Sequence, residues 1–137
     1  MKEQYDLLDK IPLFAGLGEK ALKAVAEAFH ETSFSPGETI IKDSDRSPSF
    51  YVLVKGVAEV RREGGAIAVI RPYEFFGELV ALGFQRQRTA DVVAVEDCTC
   101  LVAEHAELQQ LISSNRYVGQ RILGEVSARY SADRQPR

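Results

Sequence analysis

The chain has 137 residues, 45% of them hydrophobic and 27% charged, with a formal net charge of −3. That length suits a single domain able to bury most of its apolar surface, and the acidic balance gives no electrostatic footprint for nucleic acid on this stretch. No apolar run approaches the roughly 20 residues of a bilayer span, and Met1-Lys2-Glu3-Gln4-Tyr5-Asp6 lacks the basic start and apolar core of a signal peptide, so the expected location is cytoplasmic.

The first thirty residues read as helical. Leu7, Leu8, Ile11, Leu13 and Phe14 form an apolar cluster broken at Pro12, and from Leu17 to His30 the residues Leu22, Val25 and Phe29 share one stripe, opposite Lys20, Lys23 and Glu27. From Glu31 the period changes to that of strands. Thr39-Ile40-Ile41 follows the Pro36-Gly37 turn, Phe50-Tyr51-Val52-Leu53-Val54 ends at Gly56, and residues 57–61 pair through Glu63-Gly64-Gly65 with Ala66-Ile67-Ala68-Val69-Ile70 as a hairpin. After a polar island over 71–87, strand character resumes over 89–95 and 98–102. Short strands with frequent glycine turns predict an antiparallel barrel or jelly roll.

Helical pattern returns over 104–112. Asn115 is placed to cap a longer helix in which Val118, Ile122, Val126 and Tyr130 recur every fourth residue. The expected organisation is one domain over 1–137, comprising N-terminal helices (1–30), a β-barrel (31–103) and C-terminal lid helices (104–132). The fold class is therefore mainly β with flanking helices.

Cys98 and Cys100 lie two apart on a predicted strand, so both side chains face the same side. Neither His30 nor His105 completes a recognisable ligand spacing with them, which favours packing over metal binding or redox chemistry. No metal site is expected.

The polar island carries the chemistry. Gly77 permits a left-handed backbone angle or a close main-chain approach to a ligand. Glu78-Leu79-Val80-Ala81-Leu82 can form one helical turn, whose first amide N–H groups lack intrahelical partners and favour an anion. Arg88 offers a forked donor to phosphate oxygens and Thr89 a hydroxyl. Glu78 would repel a phosphate unless it faces away and accepts from a hydroxyl, as a sugar supplies. Each charge-assisted bond contributes on the order of 1.5–3 kcal/mol, so three or four support micromolar binding, about 8 kcal/mol, after ordering costs. A surface ion pair between Glu78 and Arg88, worth about 0–1 kcal/mol, is the competing account.

The wider order of elements decides between them. Phe76-Gly77-Glu78-Leu79 followed by Arg88-Thr89-Ala90 resembles the phosphate-binding cassette of the cyclic nucleotide-binding domain family, the type found in cAMP receptor protein and protein kinase A regulatory subunits. Ile11-Pro12-Leu13-Phe14-Ala15-Gly16-Leu17, Pro36-Gly37-Glu38 and Phe50-Tyr51-Val52-Leu53-Val54-Lys55-Gly56 extend the likeness over nearly the whole chain. It implies a jelly-roll barrel with a cassette over 76–90, cAMP or cGMP as ligand, and no enzymatic activity or separate cofactor. Glu78 would accept from the ribose 2′-hydroxyl and Arg88, helped by Thr89, would hold the cyclic phosphate. Amides around Gly77, Glu78 and Leu79 would complete the cradle, beside Phe76, Val80 and Ala90. Tyr130 and Arg134 (with Asp133) are the candidates for base contacts from the last helix. A threonine at position 89 is also where some members bind guanine, yet cAMP is favoured.

Three departures from the family pattern stand out. Asp43-Ser44-Asp45-Arg46-Ser47-Pro48 replaces a glycine-containing turn, Val80 a small residue, and Tyr73 a common glycine. None removes a ligand-contacting side chain. The expected function is a cyclic nucleotide sensor that repositions its C-terminal helix on binding. The alternative is the sensing part of a bacterial transcription regulator whose helix-turn-helix domain lies outside this chain. Met1, just ahead of the domain, argues against an upstream channel or transporter part, and the presence of Glu78, Arg88 and Thr89 argues against a scaffold without ligand. The expected partners are the nucleotide and either a second copy, through the C-terminal helix, or an effector protein.

Overall fold

Strand β3 (Phe50–Lys55) is buried on both faces, and the two sets of side chains it projects define two cores. Alternation along a strand sends Phe50 and Val52 to one side and Tyr51 and Leu53 to the other. In the computed structural model, which describes residues 2–133 and the side chains of residues 3–130, β3 lies inside a sheet of order β1-β8-β3-β6. Its partners are β8 (Cys98–Ala103) and the two-residue β6 (Phe75–Phe76), and β1 (His30–Phe34) pairs with the other edge of β8. A second sheet, of order β2-β7-β4-β5, comprises β2 (Thr39–Ile41), β7 (Asp91–Ala94), β4 (Ala58–Arg62) and β5 (Gly65–Ile70). All the pairings are antiparallel.

Between the sheets, Tyr51, Leu53, Cys100 and Val102 meet Ile41, Val60, Val92 and Ala94. On the outer face of the first sheet, Phe50, Val52, Phe75 and Leu101 meet the helices. These are α1 (Lys2–Lys10), α2 (Glu19–Ala28), α4 (His105–Ser114) and α5 (Arg116–Asp133), with the short α3 (Glu78–Ala81) at the end of β6. This is the jelly-roll arrangement with flanking helices that the strand pattern predicts. A ladder of rings runs through the helical core: Phe14 to Phe29 at 5.5 Å, Phe29 to Phe50 at 6.1 Å and Phe50 to Phe75 at 5.9 Å between centroids. Such pairs add roughly 0.5–1.5 kcal/mol each beyond area burial.

Val118, Ile122 and Val126 point into this core, with Val118 and Ile122 fully buried. The stripe packs within the chain; burying one such side chain stabilises by about 1.5–3 kcal/mol. Asn115 caps α5, its Oδ1 accepting from the Val118 amide at 3.2 Å. Gly56, in the turn from β3 to β4, has φ of 94°, and a Cβ there would lie 2.3 Å from the Asp97 carbonyl oxygen.

Three local expectations need correction. Thr89 and Ala90 precede β7 rather than opening it, because the chain at Arg88 is bonded to a loop: the Arg88 amide donates to Asp45 O at 2.7 Å and the Ser44 amide to Arg88 O at 3.0 Å. Phe75 and Phe76, placed in the polar island, form a strand on β3. Leu17 and Gly18 lie ahead of α2, with Gly18 at a φ of 90° as its N-cap. Tyr73 adopts a φ of 77°, so its backbone takes the left-handed conformation of the glycine it replaces. That conformation costs roughly 1–2 kcal/mol for a residue with a Cβ.

Candidate functional site

The site begins where β6 ends. Gly77, at φ 78° and ψ 9°, turns the chain from the sheet into α3. Its missing Cβ matters twice, since a Cβ there would sit 3.0 Å from Arg88 Nη1 and 3.1 Å from Ser49 O. The amides at the start of α3 lack intrahelical acceptors, as at any helix start.

Arg88 is 5% exposed and makes three bonds, all to main-chain carbonyls. Nη1 donates to Gly77 O at 2.7 Å, and Nη2 donates to Ser47 O at 2.6 Å and Ser49 O at 2.8 Å. Its Nε is buried without a partner. Among the described residues no carboxylate lies within ion-pair distance of it. Burial lowers the Arg88 pKa from its ordinary value, against the opposing influence of Tyr51, Asp45 and Glu78. Arg88 is thus a buried cation on neutral partners, and buried charge is stable only when compensated.

Glu78 has a counter-charge, and it is not Arg88. The carboxylate is fully buried; Arg129 Nη1 donates to Oε2 at 2.7 Å and the Tyr130 hydroxyl donates to Oε1 at 3.0 Å. Arg129 also stacks on Phe75, with its guanidinium carbon 3.6 Å from the ring centroid. Desolvation raises the Glu78 pKa, opposed by Arg129 and Tyr130. The surface ion pair between Glu78 and Arg88 considered from sequence does not form.

Phe76, Gly77, Leu79, Val80, Arg88, Thr89 and Ala90 line one cavity of about 40 Å³, together with Phe75 and Arg129. Glu78 and Tyr130 are not in its lining: Arg129 is the side chain that reaches both the cavity and Glu78. Phe76 is held by Tyr51, ring on ring at 4.9 Å. The Thr89 hydroxyl and carbonyl accept from Arg62 at 3.4 and 3.1 Å. Arg134 lies outside the described residues. Two further contacts tie the site to the start of α4: His105 Nδ1 lies 2.9 Å from Ala81 O, and Ser49 Oγ donates to Glu104 Oε2 at 2.7 Å.

Sequence reasoning missed Arg129, Ser47 and Ser49. The signal for Arg129 was its place beside Tyr130 near the end of an amphipathic helix; the two serines act through carbonyls, which have no sequence signature. Cys98 and Cys100 are buried in the inter-sheet core, and desolvation pushes the Cys100 thiol up to about 12, so little thiolate forms at neutral pH. Among the described residues no group of three or more His, Cys, Asp or Glu could hold a metal ion, and no helix is long and apolar enough to cross a membrane.

Comparison with known proteins bears on the family and the fold. The profile of the cyclic nucleotide-binding domain matches residues 31–115. The chain is 33% identical over 110 residues to a cAMP-dependent protein kinase regulatory subunit of Colletotrichum orbiculare, covering 78% of this chain and 28% of that protein. It is 31% identical over 107 residues to the human voltage-gated inwardly rectifying potassium channel KCNH6 (77% and 11%). It is 28% identical over 136 residues to the cGMP-dependent protein kinase isozyme 2 forms cD5/T2 of Drosophila melanogaster (93% and 14%). Among solved structures, the N-terminal domain of a transcriptional regulator from Streptomyces coelicolor A3(2) superposes with a TM-score of 0.76 at 26% identity, covering 93% of this chain and 92% of that one.

A match over more than half the chain, on a jelly roll with this site, defines the class: the chain belongs to the cyclic nucleotide-binding domain family, a family of regulatory domains. It spans between 11% and 28% of the length of these curated relatives.

Proposed function

We propose that this chain is a non-catalytic sensor that binds a cyclic nucleoside monophosphate, cAMP in preference to cGMP, and reports occupancy through α5. The observation that carries this reading is Arg88: a buried cation with an unpartnered Nε, lining a cavity beside the start of α3. A monoanionic phosphate ester supplies the missing charge, and the amides of Gly77, Glu78 and Leu79 donate to its remaining oxygens. Glu78 accepts from the ribose 2′-hydroxyl. Thr89 adds a hydrogen bond, Phe76, Val80 and Ala90 wall the pocket, and Tyr130 and Arg134 contact the base.

One observation supports the preference for cAMP. The highest identity among the three relatives is to a cAMP-dependent regulatory subunit. Catalysis has no support in the site, since the groups around the cavity form no nucleophile–base pair. The domain acts in the cytoplasm as one unit over 1–137, with the barrel at 31–103 and the lid helices at 104–132, and signals to an effector or to a second copy through its C-terminal helix.

A second reading is favoured by the Streptomyces structure, itself the N-terminal domain of a transcriptional regulator: here the chain senses the nucleotide for DNA-binding residues outside it. Calorimetric titration with cAMP and, separately, with cGMP tests the shared core of both readings. Heat from cAMP with the weaker affinity for cGMP is expected; no heat from either at millimolar concentration refutes it.

A further inference from the structure

Two neighbouring arginines at the end of β4 have different partners. Alternation along the strand puts Ala58, Val60 and Arg62 on the face toward the other sheet, and Glu59 and Arg61 on the outer face. On that outer face Arg61 pairs with Glu59 at 2.7 Å. Arg62 follows Val60, which lines the cavity, in the inner row. It reaches Thr89: Nε donates to the carbonyl oxygen at 3.1 Å and Nη2 donates to Oγ1 at 3.4 Å. The register explains the reach. β4 pairs with β7 so that Val60 faces Val92 and Arg61 faces Asp91, which runs the end of β4 beside residues 89 and 90. On its other side Arg62 is paired with Gly65, which has no side chain to obstruct it.

We propose that Arg62 is a positioning residue for the phosphate subsite: it holds Thr89 so that the hydroxyl presents its proton to a phosphate oxygen, and it acts on the nucleotide through Thr89. This rests on the reading of the site as a cyclic nucleotide pocket, and adds to it a residue outside the cavity lining.

Three observations favour positioning over a merely structural contact. A guanidinium has donors and no acceptor, so Thr89 Oγ1 accepts in this contact and keeps its own hydrogen to give. Accepting from a cation also polarises the O–H toward donation, and a phosphate oxygen is the matching acceptor. Next, the carbonyl and hydroxyl oxygens of Thr89 meet two nitrogens of one planar group, which selects a single χ1 for the side chain. Finally, Arg62 and Arg88 both lack a carboxylate within ion-pair distance among the described residues. Thr89 is next to Arg88 in sequence and against Arg62 in space, so a phosphate bound there meets two uncompensated cations. The fork itself is exposed, and exposed contacts add little to stability. Its effect therefore falls on binding.

The test uses the whole chain and the variants Arg62→Ala, Arg62→Lys, Thr89→Val and the double variant Arg62→Ala with Thr89→Val. Each is titrated calorimetrically with cAMP and with cGMP, and three-bond couplings to the Thr89 methyl carbon report χ1 without nucleotide. Arg62→Ala is expected to weaken binding about threefold to tenfold, the range of one hydrogen bond. Its thermal unfolding stays close to that of the parent, as for other exposed substitutions. Thr89→Val weakens binding by a similar factor, and adding Arg62→Ala to it costs at most about twofold more, because the two act as one unit. Arg62→Lys keeps the charge and loses the fork, so it binds like Arg62→Ala. The couplings show one rotamer in the parent and an average in Arg62→Ala. Equal losses from Arg62→Ala with and without the Thr89 hydroxyl overturn the proposal. So do parent-like binding by Arg62→Ala or Arg62→Lys, and couplings that do not change. Absence of heat from the parent with either nucleotide refutes the nucleotide site itself, and the proposal with it.

Discussion

Arg88 Nη1 donates to the carbonyl oxygen of Gly77 at 2.7 Å, a buried bond that joins the two halves of the cassette across 11 residues of sequence. Its other nitrogen, Nη2, reaches Ser47 O and Ser49 O on the far side. One side chain thereby clamps the start of α3 to the loop before β3, and its charge is left for a ligand.

The clamp needs a planar fork. Lysine has a single ammonium and cannot span Gly77 and Ser49 with the same geometry. Arg88→Lys is therefore expected to lower stability by about 1.5–3 kcal/mol, the worth of hydrogen bonds to a charged group. Urea denaturation measures this; a variant as stable as the parent contradicts the clamp.

Gly77 is fixed by both its angle and its neighbours. Gly77→Ala requires a left-handed alanine and places a Cβ 3.0 Å from Arg88 Nη1 and 3.1 Å from Tyr51 Cδ1. We expect a loss of about 2 kcal/mol, the left-handed cost plus displacement of Arg88. Thermal unfolding reads the loss, and nucleotide affinity falls with it if the cradle is displaced.

How far the chain could be read from sequence depended on how local each feature is. The α5 stripe and the Asn115 cap follow from residues within one helix, and the paired faces of Cys98 and Cys100 follow from strand alternation. The two-residue β6 exists through its pairing with Tyr51 and Val52, which no local pattern announces. Gly77, Glu78 and Arg88 were legible as chemistry, but not as partners. Glu78 is met from 51 residues away by Arg129, and Arg88 by bare carbonyls. Thr89 has the β-branched look of a strand residue, yet the bonds between Arg88 and the 44–45 loop hold off the start of β7 until Asp91.

Ser49 offers a check on the tie between the cassette and α4. Its hydroxyl donates to Glu104 Oε2 at 2.7 Å, directly ahead of the helix start. Ser49→Ala is expected to cost about 1–2 kcal/mol in chemical denaturation. Because Arg88 bonds the Ser49 carbonyl and not its hydroxyl, the clamp survives and nucleotide affinity changes little. A large affinity loss would place Ser49 Oγ in the binding step instead.

Glu78 gives the domain a pH signature. Burial raises its pKa above the ordinary carboxylate value of 4.5, with Arg129 and Tyr130 opposing the shift. Just above that value the folded state holds more protons at Glu78 than the unfolded state. The Glu78 contribution to stability is thus fully present below 4.5 and is lost as pH rises through the folded-state pKa. The stability of the parent relative to Glu78→Gln, measured by urea denaturation in steps from pH 4.5 upward, is expected to fall with rising pH. A difference that grows with pH would reverse the assignment.

Arg88 is the cation proposed to receive a cyclic phosphate. Its most direct test is calorimetric titration of cAMP into the parent and into Arg88→Ala, with circular dichroism confirming that the variant is folded. The parent is expected to bind at micromolar or tighter Kd, about 8 kcal/mol, and Arg88→Ala at least about tenfold more weakly, the equivalent of about 1.4 kcal/mol. A folded Arg88→Ala that binds cAMP as well as the parent would contradict that role for Arg88.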